Sequence, residues 1–313
     1  MESKSKKFND FLAKGHNSEF FAELQERAVV KCQELGIGDR PRIEDNLRRL
    51  WLPFGLQLAQ DRRKLDRTLI QGILGGQGTG KSTLCNILQL ILEDWVFTVA
   101  TLSIDDLYLT YQERQELLQR EPELIWRGPP GTHDIQEGIR VIDQCLSQDE
   151  KNEIAFPRFD KSLHNGAGDR IEAEIIPKPD ILLLEGWLVG VRPIDNQAFD
   201  YPPPPIFTES DRQFALKCNE GLQSYVPLWN RLDSLAILNP RDYRWSKQWR
   251  KEAEQKMKAQ GKTGKSDQEI EEFVEYFWKA LHPELFIKPL TDTADLVVEI
   301  KSDRSLGKVH RLT

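Results

Sequence analysis

The run Gly75, Gly76, Gln77, Gly78, Thr79, Gly80, Lys81, Ser82 spells GxxxxGK[ST], and it narrows what this chain can fold into more than any other feature. The pattern has meaning only as the turn between a buried strand and a helix, and both flanks are present. Thr68 to Leu74 is a short apolar run closed by glycines, and after Ser82 the residues Leu84, Ile87, Leu88, Ile91 and Leu92 recur at helical period. In that setting the glycines let backbone N–H groups converge on an anion while the helix turns the positive end of its dipole on the same point. Gly75 to Thr83 therefore reads as a nucleotide-phosphate site, with Lys81 on the β and γ oxygens and the Ser82 hydroxyl a ligand of Mg²⁺. A second stretch, Gly261, Lys262, Thr263, Gly264, Lys265, Ser266, imitates the first. It has Ala at position 259 where the opening glycine belongs, and no strand precedes it, so it reads as a loop between helices.

Other segments extend the strand and helix alternation. Val96 to Ile104 is rich in β-branched residues and ends at Asp105 and Asp106, and Ile181 to Leu184 is a continuous aliphatic run before Glu185. Leu232 to Leu238 and Leu296 to Ile300 add two more runs. Strands without polar alternation are buried on both faces, as in parallel sheets. The expected fold is α/β, a P-loop NTPase-type parallel sheet with helices on both faces. Residues 1–66 read as a helical N-terminal extension, because Ile43, Leu47, Leu50, Trp51, Phe54 and Leu58 fall near one helix face, with a kink or split expected at Pro53. Residues 67–313 read as the kinase-type domain, with a helical lid near 240–282. In that region Tyr243 to Lys258 is charged and helical, and Ser266 with Glu269 forms a capping box ahead of the stripe Ile270, Phe273, Val274, Phe277 and Leu281. Pro283 is expected to end that helix, and Pro202 to Pro205 to form an exposed extended turn.

Charge and cysteine content exclude several functions. Lys and Arg total 43 against 50 Asp and Glu, a formal charge of -7, which argues against a nucleic-acid or anionic-lipid surface. The longest apolar run, Ile181 to Val191, is interrupted by Glu185 and is too short to span a membrane. Cys32, Cys85, Cys145 and Cys218 are scattered with no CxxC pair, as expected for reduced thiols in a cytoplasmic protein. A small molecule is the expected partner.

Two carboxylates mark the chemistry. Neither DxxG nor NKxD occurs, so a guanine-nucleotide switch is not expected. Glu185 follows four buried aliphatics at a strand end, where a carboxylate faces the Mg²⁺ region. Asp105 ends the strand expected beside the P-loop strand and can serve as base toward an attacking hydroxyl, while Asp106 can equally cap the following turn.

The ordered set of P-loop, Asp105-x-Leu107-Tyr108, Pro157-Arg158-Phe159-Asp160 with Arg170 downstream, Glu185-Gly186-Trp187, and Pro289-x-x-Asp292-x-Ala294-Asp295 resembles the small-molecule kinases that include uridine, pantothenate and phosphoribulokinases. Within that group the chain is most similar to the plant and cyanobacterial D-glycerate 3-kinases and their kinase-like fungal relatives, through Arg127 to Asp134, Pro157 to Ser162 and Leu184 to Trp187. The resemblance covers roughly residues 68–300. It implies ATP-dependent phosphorylation of a small hydroxy acid, with Asp105 as base, Glu185 near Mg²⁺, and Tyr108, Arg127, His133, Asp134, Arg158, Asp160, Lys161 and Arg170 toward the acceptor. His133 and Asp134 serve equally well to orient a hydroxyl or to cap a helix starting near Ile135, and Asp160 either binds substrate or braces its loop. Arg241, Arg244 and Arg250 fall in the expected lid, and Pro289 to Asp295 is expected to pass the adenine. A nucleoside, pantothenate or sugar-phosphate acceptor, or a regulatory NTPase without an acceptor, remains open on the residues alone.

Overall fold

The computed structural model describes residues 19–148, 153–259 and 265–311. Eight strands are present among the described residues: β1 (Leu69–Gly75), β2 (Val99–Ser103), β3 (Glu153–Asp160), β4 (Asp169–Pro177), β5 (Ile181–Gly186), β6 (Ser234–Pro240), β7 (Leu296–Ile300) and β8 (Leu306–Arg311). Six of them form one sheet in the order β2-β5-β1-β6-β7-β8. The first five run parallel, and β8 closes the edge antiparallel to β7. Ile73 lies opposite Glu185, and Glu185 opposite Ser103, so the carboxyl ends of β1, β5 and β2 finish level with one another. β3 and β4 form a separate antiparallel hairpin.

Nine helices longer than one turn surround the sheet among the described residues: α1 (Glu19–Glu34), α2 (Arg40–Asn46), α3 (Leu52–Arg63), α4 (Lys81–Asp94), α5 (Tyr111–Arg120), α6 (Ile135–Leu146), α7 (Glu209–Gly221), α8 (Trp245–Ala259) and α9 (Asp267–Ala280). Alternate residues of the central strands point to opposite sides. Ile73, Ile181 and Leu183 enter a core shared with α1, α3 and α4, whereas Ile70, Leu74, Leu182 and Leu184 enter another with α6, α7 and α9. All six residues of the expected stripe from Ile43 to Leu58 are buried, so the described N-terminal helices pack on the P-loop helix as part of the first core.

Four expectations change in detail. Pro53 does not split its helix: residues 47–51 widen into a π-turn, in which Leu52 N–H reaches back to the Leu47 carbonyl, and the missing amide of Pro53 falls at the start of α3. The strand expected from Val96 begins only at Val99, because Val96 turns at φ +76° after α4. The proline run is not simply exposed, since Pro205 is buried and the Pro204 carbonyl accepts from His282 Nε2 at 2.8 Å. Pro283 starts a further single turn after α9 has ended at Ala280. The capping box of Ser266 and Glu269 forms as expected, while Gly261 to Gly264 lie outside the described residues.

Gly186 couples the tips of two site-bearing strands. A Cβ there would stand 2.4 Å from Ile104 Cγ2, and Ile104 immediately precedes Asp105. Gly186→Ala is expected to overpack this contact and cost about 1–3 kcal/mol of stability, read as a lower urea midpoint at unchanged slope; an unchanged midpoint would show that the two tips are not in close register.

Candidate active site

The phosphate loop opens directly from β1. Gly78 holds φ +78°, and a Cβ there would meet Trp249 Cβ at 2.8 Å, so both backbone conformation and space demand glycine. Thr79 Oγ1 donates to the Gly76 carbonyl at 2.8 Å, and Lys81 Nζ to the same oxygen at 3.2 Å. Ser82 Oγ donates to Glu185 Oε1 at 3.1 Å, and Lys81 Nζ lies 4.0 Å from Glu185 Oε2. A hydroxyl and a carboxylate thus sit together beside the loop lysine, the hard-oxygen pair that Mg²⁺ takes while drawing its other ligands from phosphate and water. No cluster of three His, Cys, Asp or Glu arranged for a metal occurs among the described residues. Thr83 lies in the first turn of α4.

One strand away, Ser103 caps a short turn at Ile104–Leu107, and Asp106 completes the capping box by accepting from the Ser103 amide at 3.1 Å. Arg158 pairs with Asp106 at 3.2 Å and with Glu174 at 2.8 Å. Asp106 is therefore bound up in holding the turn. Asp105 takes no part in the cap with its side chain. Its Oδ1 accepts from the Tyr108 hydroxyl at 2.8 Å and its Oδ2 from Lys161 Nζ at 2.6 Å. Burial pushes the Asp105 carboxyl up, but the charge and hydrogen bond of Lys161 and the hydrogen bond of Tyr108 outweigh it and hold the group below the usual carboxylate range. Asp106 goes the other way, raised by burial with a contribution from the neighbouring Asp105 charge.

The remaining residues converge on Tyr108. Tyr108 and His133 pair through an isolated antiparallel bridge, and their rings stack at 4.7 Å. Arg127 lies over the rings of Tyr108 and Phe159, at 5.8 and 5.5 Å, and donates to the Gly166 and Ala167 carbonyls. Arg114, which no sequence pattern marked, lies over the other reach of Phe159 and donates to the carbonyls of Leu109, Ala167 and Gly168. No carboxylate forms an ion pair with either arginine among the described residues. Lys161 thus brings positive charge to Asp105 and Arg127 to Tyr108, with Arg114 beside Phe159.

Four candidate residues are engaged within the protein. Asp134 caps α6 by accepting from Glu137 N–H at 3.0 Å, which decides the open choice at this position for helix capping, and its other oxygen meets Arg170 at 3.1 Å. Arg170 also donates to the Tyr108 carbonyl at 2.8 Å. Asp160 accepts from the backbone and hydroxyl of Ser162 and so braces the hairpin tip, while Arg158 is spent on Asp106 and Glu174.

The α8–α9 hairpin reaches over both walls. Trp249 packs on Gly78, and Phe277 lies against Gly128. The three arginines expected here differ in placement. Arg241 and Arg244 are largely exposed at the entrance to α8. Arg250 turns into the hairpin, pairing with buried Glu254 at 3.0 Å and lying over Phe273, because Glu254 requires a counter-charge. The Pro289 to Asp295 segment runs down to the amino edge of the sheet, where Asp295 accepts from Leu235 N–H, so its end lies away from the loop. Sequence reasoning also missed Tyr225, whose hydroxyl contacts both Gly131 and His133; it falls in no recognisable motif.

A glycine loop leading from a parallel strand into a helix, with carboxylates at the tips of the two strands beyond it, defines a P-loop kinase fold. No protein-family model matches the chain. The chain is 30% identical over 255 residues to the chloroplastic D-glycerate 3-kinase of Arabidopsis thaliana, covering 77% of this chain and 54% of that one, so it spans about half the length of that relative. It is 32% identical over 219 residues to the uncharacterized kinase mug58 of Schizosaccharomyces pombe, covering 67% of this chain and 79% of the relative. The solved structure of a D-glycerate 3-kinase from Cryptococcus neoformans superposes with a TM-score of 0.73 at 26% identity, covering 83% of this chain and 97% of the other. The chain belongs to the P-loop kinase family that contains the D-glycerate 3-kinases and these fungal kinases.

The Lys161 ion pair is the largest force opposing burial at Asp105. In Lys161→Met that opposition is gone, and the Asp105 carboxyl is expected to titrate at higher pH than in the wild type. Site-resolved ¹³C titration of the carboxyl checks this, and an unmoved or lowered value would remove Lys161 as the controlling charge.

Proposed function

We propose that the protein is an ATP-dependent kinase that transfers the γ-phosphoryl group of ATP to a hydroxyl of D-glycerate, yielding 3-phosphoglycerate, with Mg²⁺ accompanying the nucleotide. The observation that carries this reading is the Asp105 carboxylate, held by Lys161 and the Tyr108 hydroxyl one strand tip away from the Ser82 and Glu185 pair. The names of the relatives from Arabidopsis thaliana and Cryptococcus neoformans support the choice of acceptor.

In this reading the loop amides of Gly75 to Ser82 and the Lys81 ammonium bind the phosphate tail, and Ser82 and Glu185 hold the metal. Mg²⁺ bound there neutralises charge on the β and γ phosphate oxygens. Asp105, ionised because its pKa is held low, accepts the proton of the attacking hydroxyl as the new O–P bond forms and the bond from γ-phosphorus to the bridging oxygen breaks. Lys81 and the loop amides take up the charge that develops on the leaving ADP. An acceptor carboxylate suits Lys161, which is 60% exposed and has three N–H donors to share between Asp105 and the acceptor, and Arg127, whose N–H groups donate to carbonyls. Asp134, Arg158, Asp160 and Arg170 brace the wall that carries these groups. Residues 67–313 are the kinase unit, and the described helices within residues 19–63 extend it and share its core. The segment 240–282 acts as a lid that keeps water from the phosphoryl group, with Arg241 and Arg244, largely exposed and paired with Glu299 and Asp242, as the arginines that can turn to it.

Asp105→Asn keeps the shape and removes the base. Turnover of D-glycerate is expected to fall by about 10²- to 10⁴-fold while nucleotide binding is retained, measured by coupled ADP release with mass-spectrometric identification of the product. Undiminished turnover would remove Asp105 from its role. ADP release that ignores D-glycerate, or a different phosphorylated product from a panel of nucleosides, pantothenate and sugar phosphates, would overturn the acceptor.

A further inference from the structure

Among the described residues, the acceptor wall contains one buried polar side-chain atom with no partner, His133 Nε2. His133 is only 6% exposed. An unmet buried donor or acceptor costs about 1–3 kcal/mol, and beside a candidate acceptor site a ligand group is one partner that would remove that cost. The ring is held on both sides. Its backbone bridges Tyr108, its face stacks on the Tyr108 ring, and the Tyr108 hydroxyl in turn binds Asp105.

The hydrogen bonds around Tyr225 decide which ring nitrogen carries the proton. The Tyr225 hydroxyl oxygen accepts from Gly131 N–H at 3.1 Å and lies 2.6 Å from His133 Nδ1. Among the described residues, the Tyr225 proton has no acceptor other than Nδ1. If Nδ1 accepts that proton, the ring proton sits on Nε2 and a single donor is left unmet. The opposite tautomer would strand both the Tyr225 proton and an Nε2 lone pair in the interior.

We propose that Tyr225 is a positioning residue that locks His133 as the Nε2–H tautomer, and that this N–H donates to the hydroxyl of the acceptor that neighbours the one being phosphorylated. The inference rests on the hydroxy-acid reading above and adds the atom that recognises the second hydroxyl. Burial holds His133 down to about 4 against a small opposing effect of Asp105, so the imidazole is uncharged at neutral pH. A neutral donor suits a hydroxyl oxygen, and the carboxylate falls to Lys161 and Arg127. A site built to hydrogen-bond a hydroxyl disfavours an analogue that lacks it, because the site's own polar group is then left unmet.

The test has two arms on the full-length protein. In the ligand-free protein, ¹⁵N NMR of His133 is expected to show a protonated Nε2 and a bare Nδ1, with the two tautomers mixed in Tyr225→Phe. A protonated Nδ1 in the wild type overturns the proposal whatever the acceptor is. The second arm compares kcat/KM for D-glycerate with that for 3-hydroxypropionate, which lacks the neighbouring hydroxyl. The preference for D-glycerate is expected to shrink about tenfold in Tyr225→Phe and in His133→Asn, which carries its amide near the Nδ1 position. His133→Gln, whose amide reaches the Nε2 position, is expected to restore most of it. An unchanged preference in His133→Asn overturns the donor role. A wild type that shows the Nε2–H tautomer yet phosphorylates neither compound overturns the acceptor reading and leaves the tautomer lock in place.

Discussion

Everything at the site depends on the backbone register of three parallel strands. Hydrogen bonds between β1, β5 and β2 bring Ile73, Glu185 and Ser103 level, and each strand then delivers its functional group within two or three residues. β1 releases the glycine loop, β5 presents Glu185, and β2 turns through a capped 3₁₀ segment that offers Asp105. A slip by one residue would reverse which face each side chain occupies and send Glu185 away from Ser82. The level ends are held by backbone ladders that the two cores bury from either face.

Given that frame, neighbouring carboxylates acquire different tasks from their surroundings. Asp105 and Asp106 are adjacent in sequence and share a turn. Asp106 is consumed by the Ser103 amide and Arg158, a structural assignment that keeps the turn rigid. Asp105 faces the opposite way, toward cations and the Tyr108 hydroxyl, and its carboxyl is lowered while that of Asp106 is raised. Environment separates the two groups, as it does wherever a site needs one carboxylate to stay ionised beside another. The surplus of positive charge has the same origin. Among the described residues Arg114 and Arg127 donate to carbonyls and lie over aromatic rings but form no ion pair, so their charge remains available to an anion.

How much of this was legible in the sequence follows from what each segment must bury. Leu296–Ile300 and the strands flanking the P-loop were readable because a parallel strand covered on both sides has to be aliphatic throughout. The capping box at Ser266 was readable because it is a local hydrogen-bond pattern. The β3–β4 hairpin was not, since most of β4 is exposed and no burial pattern imposes a period on it, yet it carries Lys161 to Asp105. Asp134 and His133 looked equivalent in sequence. Only the fold separates them, placing Asp134 on the start of α6 and burying His133 beneath Tyr108. Tyr225 and Arg114 carry no local signal, because their meaning lies in contacts made 92 and 53 residues away.

The α8–α9 hairpin ties these parts into one mechanical unit. Trp249 is buried, rests on Gly78 of the loop, and donates its indole N–H to the Ser302 carbonyl at 2.8 Å. At the other end Phe277 lies against Gly128 and meets Trp187, whose indole N–H donates to the Gly128 carbonyl at 3.2 Å. The hairpin is itself cross-linked by Lys247 with Glu275 and Lys251 with Glu271, pairs close enough to keep its helices in register. Because one aromatic anchor sits on the phosphate loop and the other on the segment leading to His133, displacement of the hairpin would disturb both walls together. Two glycines make that arrangement possible, each giving an aromatic ring the space a side chain would occupy, so the same residue type that shapes the anion loop also seats the structure that covers it.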